Sequence, residues 1–363
     1  MSTQPVRVLV VDDSALMRKL IPQILETDNS IQVVGTAMDG NFGLKKIEEL
    51  RPQVITLDLE MPGMSGLDML REIMWRHRLP VIVVSSHSTQ GASITLRALS
   101  LGAFDFVAKP TDVSSRMQEC ARDLIAKIKA AAQSRGIQIG AAGEIPVPTT
   151  RPKVKAGDKR SPTKIVAIGI STGGPQSLQY LLAQLPHDFP GSIVVVQHMP
   201  EGFTEMFAHR LDDCCALNVK EAQSGDLLLA GRVLICPGSR HLKVKRLPLG
   251  DITILSDDPR VNGHRPSADV LFKSVAEEFG ERGLGVLMTG MGEDGATGLG
   301  LIKAAGGMTI AQSEQSCVVF GMPKAAIERG HAMRVVDLQA MANTLQAQCS
   351  PARNEKGMGA GQS

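Results

Sequence analysis

The sequence predicts an α/β protein of two units. A doubly wound (βα)5 sheet spans residues 1–133, a flexible linker 134–162, a Rossmann-like α/β unit with a mainly parallel sheet and a small antiparallel extension 163–348, and a flexible tail 349–363. Three observations predict this. Short apolar runs alternate with helical periodicity five times between Val6 and about Ala132, the pattern of a parallel sheet covered on both faces. The alternation then stops. From about Ser134 to Pro162 the chain is rich in Gly, Pro, Ala, Thr and Lys, with Pro146, Pro148, Pro152 and Pro162 spaced through it, and has too little apolar surface to fold alone. From Lys164 the alternation resumes, less regularly.

In the first unit the strands read Val6–Val11, Gln32–Ala37, Val54–Leu57, Val81–Val84 and Phe104–Val107. Ligands of such sheets bind beyond the carboxyl ends of the strands. The chemically interesting residues fall there: Asp12 and Asp13 after the first strand, Asp58 after the third, Ser85 after the fourth and Lys109-Pro110 after the fifth. Three converging carboxylates repel one another, and Mg²⁺, a hard cation that prefers oxygen, compensates them. One carboxylate is then placed to attack a phosphoryl donor, with Ser85 and Lys109 supplying a hydroxyl and a cation to the new phosphoryl oxygens. Singly, Asp12-Asp13-Ser14 reads as a helix cap and Asp58 as a turn residue. Five such residues together at strand ends favour the phosphoryl reading.

The second unit is organised around Lys164–Pro175. Ile165, Val166, Ala167 and Ile168 form a buried-looking strand, Gly169, Gly173 and Gly174 permit a sharp turn, and Pro175 suits the first turn of a helix. Ser171 is thereby placed at a strand's carboxyl end beside the unpaired N–H groups of a helix, as a nucleophile that raises an oxyanion requires. A dinucleotide-binding turn has similar letters but calls for an acidic residue at the end of the next strand. Here the run Ile193–Val196 ends in Gln197-His198. A purely structural turn is the other alternative.

A serine needs a base and the base an acid. Of eight histidines, His198 alone follows a buried-looking strand on the predicted edge that carries Ser171; His241 and His264 are candidate substrate contacts. Several strands are expected across Gly231–Leu255, a helix from about Ser267 to Phe279 and a strand over Leu284–Met288, which leads into Thr289-Gly290-Met291-Gly292-Glu293-Asp294-Gly295. Asp294 is the candidate acid, with an N-cap of the helix running to Ala304 as its alternative role and Glu293 as its competitor. The chain order Ser, His, acid differs from that of α/β-hydrolases despite the Gly-x-Ser-x-Gly match.

Composition narrows the classes. A net charge of +2 and 3% aromatic residues argue against nucleic acid or an anionic membrane as partner. Cys120, Cys214, Cys215, Cys236, Cys317 and Cys349 show no metal or redox spacing, as expected in a reducing compartment. The apolar run at Val8–Val11 stops at Asp12, and no run approaches the length of a spanning helix, so a cytoplasmic location is expected.

The first unit resembles a two-component receiver domain through Val10-Val11-Asp12-Asp13-Ser14, Asp58 with Met61-Pro62-Gly63-Met64-Ser65-Gly66, Ser85 and Lys109-Pro110. The resemblance implies Asp58 as phosphoacceptor, Asp12 and Asp13 as further metal carboxylates, Ser85, Lys109 and Phe106 as switch residues, and a chemotaxis histidine kinase as phosphodonor. The whole chain resembles the chemotaxis protein-glutamate methylesterases of the CheB type. The second unit carries Gly169-Ile170-Ser171-Thr172-Gly173-Gly174, Gln197-His198-Met199-Pro200, Cys236-Pro237-Gly238, Arg240-His241, His264-Arg265-Pro266-Ser267-Ala268-Asp269, Thr289 to Gly295 and Gly321-Met322-Pro323. Ile170 departs from the smaller residue expected before the serine. The family implies hydrolysis of glutamate methyl esters and deamidation of glutamines on chemoreceptor cytoplasmic helices, with no esterase cofactor. It also implies Ser171, His198 and Asp294 as catalytic, Thr172 and Met291 N–H groups for the oxyanion, and His264 and Arg265 in the substrate cleft. A monomer, peripheral to receptor membranes, is expected. The alternative is a non-catalytic, receiver-coupled protein-binding regulator.

Overall fold

The computed structural model describes residues 4–86, 88–109, 117–134 and 160–350. Most of the predicted linker and tail, and Pro110, lie outside that range.

Runs rich in β-branched and apolar residues make the first sheet, whose inner strands are buried and whose edge strand, Ile31–Ala37, is only partly so. It comprises β1 (Val6–Val11), β2 (Ile31–Ala37), β3 (Val54–Leu57), β4 (Val81–Ser85) and β5 (Asp105–Ala108), all parallel in the order β2-β1-β3-β4-β5. Between and after them lie α1 (Ala15–Leu25), α2 (Gly40–Leu50), α3 (Gly66–Glu72), α4 (Thr89–Ser100) and α5 (Met117–Gln133). The strand order reverses between β1 and β3, which puts the ends of both at one crevice. Ser85 is the last paired residue of its strand, opposite Ala108, rather than the first beyond it.

The second unit continues with β6 (Ile165–Ile170), α6 (Gly174–Ala183), β7 (Ser192–Gln197), α7 (Phe203–Cys214), β8 (Asn218–Glu221), β9 (Arg232–Ile235), β10 (His241–Lys245) and β11 (Ile252–Ser256). After these come α8 (Ala268–Phe279), β12 (Gly283–Leu287), α9 (Ala296–Ala304), β13 (Met308–Gln312), α10 (Met322–Glu328), β14 (Arg334–Val336) and α11 (Leu338–Cys349). Its seven-stranded sheet, ordered β14-β13-β12-β6-β7-β9-β8, is parallel throughout. The strands expected over Gly231–Leu255 divide in two: β9 joins this sheet, whereas β10 and β11 pair antiparallel as a separate ribbon against α8.

Two boundaries shift. The Arg160 and Pro162 carbonyls accept from Ala230 N and the Arg282 guanidinium, each at 3.0 Å, so residues 160–162 belong with the second unit rather than the linker. Cys349, placed in the tail by its sequence, is a buried end of α11 whose carbonyl accepts from Thr163 Oγ1 at 2.6 Å.

The two units are packed together through α4 and β5 on one side and α6 and α7 on the other. Phe106 stacks on Phe203 with ring centroids 4.7 Å apart, and Gln176 Nε2 donates to the Leu99 and Ala103 carbonyls, both at 2.9 Å. Beside them Asp105, 6% exposed, lies 3.5 Å from Lys127 and close to the Thr172 side chain. Burial pushes the Asp105 carboxyl up despite Lys127.

Replacing Lys127 by Met strands that carboxylate and is expected to destabilise the first unit by about 3 kcal/mol at neutral pH. Because the folded carboxyl holds its proton more tightly than the unfolded one, the deficit shrinks as pH falls through the raised value. Hydrogen exchange of β4 and β5 amides at several pH values measures this; a deficit independent of pH contradicts it.

Candidate functional site

Strand order in the large sheet reverses between β6 and β12, and the crevice at their carboxyl ends gathers three segments: Ser171 after β6, His198 after β7 and Thr289–Asp294 after β12. Gly173 turns the chain into α6 with φ +72°, a conformation that costs a side chain energy. Ser171 N–H donates to the Thr289 carbonyl at 2.9 Å, so the serine is stitched to the neighbouring crossover. Gly290 makes the close approach possible: a Cβ there would lie 2.8 Å from Ser171 Cβ and 2.3 Å from Met322 Sδ. Ile170 fills its site fully buried, with its Cγ1 3.0 Å from where a Gly174 Cβ would sit.

His198 and Asp294 meet through Nε2 and Oδ2 at 2.8 Å. A carboxylate only accepts, so Nε2 carries the hydrogen and Nδ1 of the neutral ring holds the lone pair. Nδ1 is buried without a partner, and Ser171 Oγ makes no hydrogen bond among the described residues. The two residues are neighbours at the ends of adjacent paired strands, with Ile170 opposite Gln197 and His198 N–H bonded to the Ile170 carbonyl at 3.1 Å. A serine–histidine bond left open without substrate is common in hydrolases.

Asp294 does not cap α9, whose N-cap is Gly295; it caps α8 instead. Its Oδ1 accepts from Ser267 Oγ at 2.6 Å and Asp269 N at 3.4 Å, and its Oδ2 from Ala268 N at 2.7 Å. Burial alone would raise this carboxyl, but the His198 hydrogen bond and charge, with Ser267 and Ala268, bring it down to about 2. The positive end of α8 acts in the same direction. Glu293 turns away to Arg329.

The N–H groups of Thr172 and Met291 make no hydrogen bond among the described residues, while Gly290 N–H is spent on the Val319 carbonyl. His264 stacks on His198, with centroids 4.1 Å apart and planes 5° from parallel. Arg265 Nη1 donates to the Asp257 and Asp258 carbonyls at 3.0 and 3.3 Å, while its buried Nε has no partner among the described residues. His241, expected as a candidate substrate contact, is instead fully buried against the Pro259 carbonyl at 3.1 Å, out of reach of a substrate.

Sequence reasoning missed the residues that tie these loops together. Gln197 Nε2 bridges the Ser171 and His198 carbonyls at 3.0 and 3.2 Å. Thr289 Oγ1 donates to the Thr172 carbonyl at 2.9 Å and accepts from Val319 N at 3.0 Å, and Thr289 N–H donates to Gln312 Oε1 at 2.9 Å. Their only sequence signal is a polar side chain at the end of an apolar run.

In the first unit, carboxylate oxygens of Asp12, Asp13 and Asp58 lie within 4.8 Å of one another. Lys109 Nζ is 2.7 Å from Asp58 Oδ2 and 3.2 Å from Asp12 Oδ2. Burial raises the Asp12 carboxyl, and Asp12 Oδ2, paired only with the Lys109 ammonium at 3.2 Å, has no hydrogen-bond partner among the described residues. A buried, electron-rich oxygen in a ring of three acids fits a divalent cation. Ser14 also caps α1. Ser85 Oγ faces α4 rather than Asp58, accepting from Thr95 Oγ1 at 2.6 Å.

Asp294 stabilises the fold through its depressed carboxyl, which is ionised above about pH 4 and loses its contribution as pH falls toward 2. Asp294→Asn is expected to cost about 2 kcal/mol at pH 7, at roughly 1.4 kcal/mol per unit of pKa. The gap from the parent closes below about pH 4. Urea unfolding at pH 7 and pH 3 checks this.

Known proteins share this architecture. The family pattern "CheB methylesterase" matches residues 166–345, and "Response regulator receiver domain" matches 8–120. A protein-glutamate methylesterase/protein-glutamine glutaminase of Koribacter versatilis is 60% identical over 358 residues, 97% of this chain and 99% of that one. A Salmonella typhi protein of the same name is 44% identical over 346 residues, 95% and 97% of the two chains. The crystal structure of the Thermotoga maritima CheB methylesterase catalytic domain is 42% identical and covers 52% of this chain and 99% of its own, with a TM-score of 0.50. Full-length similarity of this degree, over both units and the crevice between β6 and β12, places the chain in the family of receiver-coupled, CheB-type protein-glutamate methylesterases.

Proposed function

We propose that the chain is a phosphorylation-activated serine esterase that hydrolyses glutamate methyl esters, and deamidates glutamines, on the cytoplasmic helices of chemoreceptors. The observation that carries this reading is the His198–Asp294 pair, with an unpartnered Nδ1, one strand away from Ser171. In the reaction Ser171 Oγ attacks the side-chain carbonyl carbon while Nδ1 takes its proton, and Asp294 stabilises the imidazolium. The Thr172 and Met291 N–H groups receive the oxyanion. Nδ1 returns the proton to departing methanol or ammonia, and water then cleaves the acyl-enzyme in the same way.

Asp58 is the proposed phosphoacceptor, with a chemotaxis histidine kinase as donor. Asp12, Asp13 and Asp58 would hold Mg²⁺, whose charge would neutralise phosphoryl oxygens during transfer. Lys109 stands ready to pair with the phosphate, and Ser85 must turn from Thr95 to reach it. The enzyme acts in the cytoplasm as a monomer, on receptors embedded in the membrane. No described helix is long and apolar enough to cross one.

The receiver serves as a lid. Asp105 and Phe106 lie on β5, four and three residues before Lys109, and both touch the esterase unit, Asp105 at the residue after Ser171. Phosphorylation biases this two-state contact toward release.

Ser171→Ala is expected to lower methanol release from methylated receptor membranes at least about a thousandfold with folding intact; retained release refutes the esterase. Deleting residues up to about 150 raises basal release, and Asp58→Asn removes stimulation by a small phosphodonor. Unchanged or lower release after the deletion contradicts the lid.

A further inference from the structure

We propose that His264 is a positioning residue for the base: its imidazole lies face to face on His198 and fixes the plane in which Nδ1 meets the serine. The proposal rests on the esterase reading above and assigns a role that the serine, histidine and acid do not account for.

A ring held by one hydrogen bond can still rotate about it. The bond from Nε2 to Asp294 fixes one corner of His198, and the parallel stack at 4.1 Å and 5° removes the remaining freedom of the plane. His264 is itself rigidly mounted. It closes a two-residue turn, Val261-Asn262-Gly263-His264, in which Val261 and His264 exchange both backbone hydrogen bonds at 3.0 and 2.9 Å. Asn262 and Gly263 have φ of +52° and +80°, as a type I′ turn requires of both central residues. Asn262 Nδ2 donates to Asp269 Oδ2 at 2.8 Å, and Asp269 Oδ1 accepts from Gly298 N at 2.6 Å. The turn is therefore braced against the first turn of α8, the helix end that holds Asp294.

Neither ring nitrogen of His264 hydrogen-bonds to a described residue, so the contact it offers is the ring face. A neutral face over His198 favours the imidazolium that forms when Nδ1 takes the serine proton, whereas a second cation there would oppose it. Burial and the neighbouring His198 lower His264 to about 4, which keeps it neutral at working pH.

The test compares His264→Ala, His264→Leu and His264→Phe in the full-length protein, by methanol release and by the rate at which a fluorophosphonate labels Ser171. The first two remove the ring face and are expected to lower kcat and the labelling rate about tenfold or more, with KM within about twofold. His264→Phe keeps the face and is expected to recover most of the loss. His264→Leu, which fills the space, stands in where the alanine variant does not fold. A phenylalanine variant as slow as the leucine variant overturns the proposal, because the ring nitrogens then matter. So does a raised KM at unchanged kcat, or full activity without the ring. Labelling that survives Ser171→Ala, or none in the parent protein, defeats the esterase reading instead.

Discussion

The structure turns on one carboxylate. Asp294, 1% exposed, leaves β12 and is stabilised at the N-terminus of α8 by Ser267 Oγ and the Ala268 and Asp269 N–H groups, and the remaining direction of its Oδ2 meets His198 Nε2. A buried charge of this kind is tolerable only when it is fully hydrogen-bonded, and here the helix end supplies the bonds. Holding the carboxylate ionised forces the hydrogen of the neutral ring onto Nε2 and leaves Nδ1 basic. The proposed reaction depends on that single constraint, because an imidazole in the other tautomer could not take the proton of Ser171.

The same crevice is where the receiver reaches the esterase. β5 is short: Lys109, beside Asp58, follows it directly, and Phe106 and Asp105 within it rest on Phe203 and Thr172. The strand end that pairs with Ser85 is thus only a few residues from the contact with the Ser171 loop. At the far end of α4, Gln176 of α6 binds the Leu99 and Ala103 carbonyls, so the helix that follows Ser171 is tied to α4 as well. Two rows of contacts, one polar and one aromatic, connect the acid pocket to the serine loop.

Much of this was legible in the sequence. Apolar runs located β1 to β7 and β12 within two residues at either end, because the buried stretches of these strands are mostly apolar, and residues just past several of those runs form the acid pocket and the crevice that holds Ser171, His198 and Asp294; β8, β13 and β14, which are shorter or more polar, were not singled out. What stayed hidden depends on which segments face one another. Asp294 reads as an N-cap of the next helix, and it does cap a helix, but one lying before it in sequence; nothing local tells α8 from α9. Gln197 and Thr289 look like ordinary strand ends until the carbonyls they bind are brought beside them. Cys349 reads as tail because the pattern around it is weak, whereas its burial comes from packing across the unit. The burial of His241 was equally invisible, since it comes from packing against the loop at residues 257–259, whose Pro259 carbonyl its ring binds.

The central claim is that Asp294 fixes His198 with its hydrogen on Nε2 and its lone pair on Nδ1. Nitrogen-15 NMR of the histidine-labelled protein near pH 8 reads that tautomer directly. The account predicts a protonated Nε2 with a strongly downfield hydrogen that is lost in Asp294→Asn, and an unprotonated Nδ1. A hydrogen found on Nδ1 in the unmodified protein would contradict it.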